Sequence, residues 1–206
     1  MTLRLKPETP LFLFDDVTSR IVGMKHPDGK ELYFAGSESS AMLPAAQATA
    51  LPGVWQVIAH SAVAVPLTGT TAETALATIS IPAAAMGANG LLRVTTDWSH
   101  TNNANGKSCR VRLGGLAGTA FMAVVETTGL AFSAQKTICN RGAFNSQVTN
   151  QAVGATGPFA AGAASAHLTA AVDMSVAKDL VISGELGNSG DTLTLEQYTV
   201  ELCYRA

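Results

Sequence analysis

The sequence predicts an all-β chain built around a β-sandwich, on three observations. From Ala72 to Ala206, apolar and polar residues alternate with period two over short stretches. Gly and Asn clusters punctuate those stretches as turns do. No helical period dominates and helices do not alternate with strands, which disfavours a doubly wound or barrel α/β enzyme.

The elements follow in order. PLFLFDDVTSRIVGMKHPDGKELYF reads as two or three short strands, with DDVTSR and HPDGK as turns and Asp28-Gly29 as a strong turn signal. So few strands are marginal alone. Leu11, Leu13, Ile21, Leu32, Tyr33 and Phe34 therefore need a partner surface, either the rest of the chain or another protein. Residues 1–40 are accordingly expected to form an attachment arm, a small N-terminal β-hairpin region. Residues 41–71 are expected to be a linker and first strand. GSESSAMLPAAQATALPG, punctuated by Pro44 and Pro52, suits either a linker or a short helix around 44–50. VWQVIAHSAVAVPL supplies one or two strands, with Trp55 as a core or interface anchor.

Residues 72–206 carry the sandwich. ETALATISIP is a strand stopped by Pro82, and AAAMGANG is a turn. LLRVTTDWSH places Leu92, Val94, Thr96 and Trp98 on one face and Arg93, Thr95 and Asp97 on the other. The polar loop TNNANGK leads into KSCRVRL, and the two strands are expected to form a hairpin across its Asn-Gly. Further strands are expected at GTAFMAVVE, AQKTICNR, SAHLTAAVDM and DLVISGEL. In DTLTLEQYTVELCYR the apolar phase slips at Glu196–Gln197, from Leu193 and Leu195 to Tyr198, Val200, Leu202 and Tyr204. A β-bulge or a bend between sheets absorbs such a slip. A last strand that changes sheets would suit a closed sandwich.

Composition narrows the function. Charged residues are only 14%, so much of the surface must be Ser, Thr, Asn, Gln and Gly, which suits extracellular, shell or fibre proteins and self-association, or simply a domain rich in small residues. The formal net charge of -2 and the lack of a basic run argue against nucleic acid. Apolar stretches are too interrupted for membrane insertion. Pro7, Glu8 and Pro10 break the start in a way that disfavours a signal peptide. Cys109, Cys139 and Cys203, an odd number at wide spacing, make neither a disulfide framework nor a zinc pattern, and read as small hydrophobes in a reducing cytoplasm.

Reactive constellations are sparse. His26, His60, His100 and His167 form no HxxxH or HxH pair. There is no GxSxG elbow, and GSESSA resembles one only loosely. GGLAG leads into a strand and not a helix, unlike a nucleotide-binding turn. Asp97, Glu126, Asp173, Glu185, Asp191 and Glu196 could supply paired carboxylates, but they stand where solvated acids ordinarily stand. The chain is expected not to be an enzyme and to hold no cofactor or metal. The candidate recognition or interface residues lie in two loops: Asn102, Asn103 and Asn105 in one, Arg141, Phe144, Asn145 and Gln147 in the other. Planar amides beside an aromatic can bind sugars, can pack at a subunit interface, or can simply be solvated.

Three stretches carry a resemblance: IPAAAMGANGLLRVTTDWSHTNNANGKSCRVRLGG, ICNRGAFNSQ, and AVDMSVAKDLVISGELGNSGDTLTLEQYTVEL. Residues 72–206 resemble the jelly-roll domains of tailed-bacteriophage virion structural proteins, such as head fibres, decoration or collar proteins and tail-fibre knobs. VTSRIVGMKHPDGKELYF resembles the short elements that join such proteins to a particle. The resemblance implies a jelly roll in a symmetric assembly, expected to be a homotrimer. It implies contacts with other virion proteins through residues 1–40, and for some members a host glycan. It also implies a place in the virion, with assembly in the host bacterial cytoplasm. No shaft of coiled coil or β-helix is present, which favours a compact decoration, collar or adaptor protein over a long fibre.

Overall fold

The computed structural model describes Leu11–Phe14, Ile21–Lys25, Glu31–Tyr33, residues 53–149 and residues 167–205. The chain divides into two compact units, Met1–Ala48 and Thr49–Ala206. In the first, β1 (Leu11–Phe14), β2 (Ile21–Lys25) and β3 (Glu31–Tyr33) form an antiparallel sheet in that order. The expected turns at 15–20 and 26–30, the helix or linker at 44–50, GSESSA and His26 lie outside the described residues.

The second unit is a sandwich of two antiparallel sheets. Its strands are β4 (Trp55–Ser61), β5 (Val65–Leu67), β6 (Thr74–Ile81), β7 (Leu91–His100), β8 (Lys107–Leu113) and β9 (Thr119–Glu126). They continue as β10 (Ala131–Asn140), β11 (Gln147–Thr149), β12 (Leu168–Ala170), β13 (Lys178–Leu186) and β14 (Leu193–Cys203). The larger sheet runs β12-β11-β10-β7-β14-β4, with β5 also beside β14, and the smaller runs β6-β13-β8-β9. Eight strands, β5-β14-β7-β10 facing β6-β13-β8-β9, thus form two interleaved Greek keys, the jelly-roll order. No helix occurs among the described residues.

Alternation decides which side chains meet between the sheets. Leu92, Val94 and Trp98 of β7 are buried, as are Cys109, Val111 and Leu113 of β8 and Leu180, Ile182 and Leu186 of β13. β14 adds Leu193, Leu195, Val200 and Leu202. Trp98 donates its indole N–H to Thr96 Oγ1 at 2.8 Å, which satisfies both groups inside the core.

Three expectations need correction. β7 and β8 do not pair as a hairpin: they belong to opposite sheets, and the loop between them crosses the sandwich. An Asn-Gly between two alternating segments signals a reversal, and a reversal serves an arch between sheets as well as a hairpin. β14 does not change sheets, because it pairs with β7 along its whole length and takes up the phase slip as a bulge between Leu195 and Gln197. The sandwich also starts before Ala72, since β4 and β5 both pair with β14. β5 contains Pro66 and pairs only with β14, and proline is tolerated in such an edge position.

The β6–β7 turn grips the C-terminal segment. Arg205 N donates to Met86 O at 3.2 Å and Asn89 N to Arg205 O at 3.1 Å. Backbone approaches so closely that a Cβ on Gly90 would lie 1.7 Å from Met86 O. Gly69 instead needs only its positive φ of 77°, with nothing within 4 Å of a Cβ. Gly90→Ala is therefore expected to cost about 2–3 kcal/mol, against roughly 1 kcal/mol for Gly69→Ala. Urea unfolding of the two variants would show this order, and equal losses would contradict the close approach.

Candidate functional site

A buried polar network sits at the end of the sandwich where the β7–β8, β9–β10 and β13–β14 loops meet. Lys107 shares the inward parity of Cys109, Val111 and Leu113, and it is fully buried. Its ammonium donates to Asn103 Oδ1 at 2.5 Å, Asn103 O at 3.3 Å and Thr127 O at 3.2 Å. Asp191 lies 4.0 Å from Nζ and accepts from Asn103 Nδ2 at 2.6 Å and Asn105 Nδ2 at 3.0 Å. These amides hold the Asp191 carboxyl below the usual carboxylate range. Gly129 N donates to Asn102 Oδ1, and Thr192 N to Thr101 Oγ1, so the three loops are bound to one another.

A second network closes the opposite end. Asn140, 5% exposed, donates to Gly87 O at 2.7 Å. Gln147, 1% exposed, donates to Asn140 Oδ1 and Phe144 O and accepts from Val172 N. Phe144 packs against the core.

The two candidate loops therefore lie at opposite ends of β7, whose ten residues separate them by about 30 Å. The structure does not bring them together. The amides of Asn103, Asn105 and Gln147 are engaged in the fold, while Asn102, Arg141 and Asn145 are exposed.

The outer faces of both sheets are laced with polar pairs. On the larger sheet Arg93 forms a bidentate pair with Glu201 at 2.6 and 2.7 Å, and Trp55 lies over its guanidinium at 4.2 Å. Gln135 donates to Thr95, Gln197 to Asp97 and Ser99 to Glu196. On the smaller sheet Glu73 accepts from Arg112 through both oxygens, at 2.7 and 2.8 Å, and from Ser183 at 2.6 Å. Arg110 bridges Glu73 and Glu185 at 3.3 and 2.5 Å. The Arg112 hydrogen bonds hold the Glu73 carboxyl below its usual range.

His60 and His167 are exposed, and His100 packs on Phe132 with ring centroids 5.9 Å apart. No group of three or more His, Cys, Asp or Glu converges among the described residues. The cysteines are free, and burial pushes the Cys109 and Cys139 thiols up. The sequence reading missed Lys107, although its parity with Cys109, Val111 and Leu113 was the available signal. It also missed Glu73 and the Arg93–Glu201 pair, whose partners are 108 residues apart.

No protein-family model matches the chain, and no curated protein matches it. Among solved structures it is similar to one titled "Structure of infectious bursal disease virus Gx strain", at 8% identity and a TM-score of 0.23. The match covers 73% of this chain and 40% of that one, so the chain spans less than half of that structure's length. A likeness this slight bears on neither fold nor function.

The lowered carboxyls of Glu73, Asp191 and Glu201 give a pH dependence of known sign. Each favours the ionised form in the fold, so its contribution is complete above the unfolded values of about 4 and is lost as pH falls through the native ones. The urea midpoint should fall progressively below about pH 5, and less steeply in Glu73→Gln. A midpoint unchanged down to about pH 3 would contradict this.

Proposed function

We propose that the chain is a non-enzymatic structural protein of a bacteriophage virion, displayed on head, collar or tail and joined to the particle through residues 1–40. One observation carries the reading. A jelly roll of residues 49–206 is joined to a separate compact unit whose described part is a single three-stranded sheet. A body fit for display thus follows a small element that needs a partner to be stable. The low charge and the paired outer faces support a surface built for packing, and the fold by itself names no function.

Self-association, as a homotrimer, is part of the proposal. β4 ends the larger sheet, and around it Val54, Val57, Ile58 and Val63 are exposed, Val63 at 74%. An edge strand with exposed apolar residues favours burial against another chain. A glycan-binding knob is the second reading, supported by exposed Arg141 and Asn145 at one end of the sandwich.

Sedimentation of the full-length chain should show a trimer whose population falls in Val57→Lys. A monomer at concentrations of tens of micromolar would overturn self-association. Mass spectrometry of purified particles should find the chain bound, and a variant lacking residues 1–40 absent. Binding of the intact oligomer on a glycan array, with loss in Arg141→Ala, would favour the knob instead.

A further inference from the structure

We infer that Lys107 and Asn103 form an intramolecular isopeptide bond, with Asp191 as the proton carrier. Three observations meet at one buried place. The nearest acceptor to Lys107 Nζ is not a carboxylate but the carboxamide oxygen of Asn103, at 2.5 Å. Adding the carbonyl bond length of about 1.2 Å puts Nζ within about 3.7 Å of Asn103 Cγ, at the edge of attack distance. The carboxylate of Asp191 sits on the amide nitrogen that would leave, at 2.6 Å. Asn105 N donates to the same Oδ1 at 3.0 Å, where negative charge would develop.

An ordinary buried ion pair would place the carboxylate directly on the ammonium. Here the amine faces the amide oxygen and the acid faces the amide nitrogen, which puts nucleophile, electrophile and proton carrier side by side. Lys107 is fully buried and Asp191 nearly so, which limits the water that can compete at the amide carbon of the half-buried Asn103.

The step balances without an oxidant or co-reactant. Asp191 takes one proton from the Lys107 ammonium, which needs Oδ2 to move about 1 Å from its 4.0 Å separation. The neutral Nζ bonds to Asn103 Cγ, and the oxyanion on Oδ1 is held by the Asn105 N–H. Asp191 returns the proton to Nδ2, the Cγ–Nδ2 bond breaks, and the second Nζ proton leaves with the departing ammonia. An ammonium and a carboxamide become a secondary amide and an ammonium ion. The bond ties the β7–β8 arch to the first residue of β8, whether or not the chain sits in a virion.

Intact mass of the purified full-length chain, measured after denaturation, tests this. The expected mass is below that of the sequence by one ammonia, and trypsin should fail to cleave after Lys107. Asp191→Asn, checked for folding by circular dichroism, should keep the full sequence mass. A succinimide at Asn105-Gly106 also loses ammonia, but it leaves Lys107 cleavable and disappears in Asn105→Ala. A wild-type chain of full mass after prolonged incubation would overturn the inference, and so would a light chain that trypsin still cuts after Lys107.

Discussion

Burying the ammonium of Lys107 is the constraint on which this end of the sandwich depends. An unpaired buried charge costs several kcal/mol, so its three protons must find oxygens. In this molecule they come from two loops, with a carboxylate from a third close by. None of these groups is near another in an extended chain. Satisfying one side chain thus fixes where the arch from β7 to β8 crosses, and where the β9–β10 and β13–β14 loops stop. Thr101, Asn102, Thr192 and Gly129 then add bonds that would not exist without that convergence.

The opposite end solves a similar problem with neutral groups. Asn140 and Gln147 occupy buried positions, and between them they satisfy the carbonyls of Gly87 and Phe144 and the amide of Val172. The amide of one side chain serves the other. Both ends are closed by polar networks in which each buried group has a partner, an arrangement that favours one well-defined structure over an ensemble. On the faces between the two ends, the Arg93–Glu201 pair and the Glu73 cluster hold side chains in paired positions.

Much of this was legible and part of it was not. The inward faces of β7 and β8 follow from parity alone, because a strand in a sandwich buries every second residue. The slip at Glu196–Gln197 was visible for the same reason, and it became a bulge because β14 has β7 beside it on both sides of the slip. The Asn-Gly loop misled because its chemistry specifies a reversal and not the sheet to which the next strand returns. A lysine ordinarily points to solvent, yet the parity of Lys107 with Cys109 places it inward. The hydrogen-bonding capacity that makes Asn103, Asn105 and Gln147 candidates is used within the chain.

By itself the sequence determined the fold class, the alternation of the strands and the phase slip in the last of them. These are local properties, set by side-chain period and turn chemistry within a few residues. Only the tertiary structure decided that β7 and β8 lie in opposite sheets, that the two Asn-rich loops sit at opposite ends, and that Lys107, Asn103 and Asp191 share one buried site. Pairings such as Arg93 with Glu201 join residues far apart in sequence, and local pattern contains no information about which strand becomes a neighbour. That choice belongs to the Greek-key path of the whole chain, in which each sheet recruits strands from both halves.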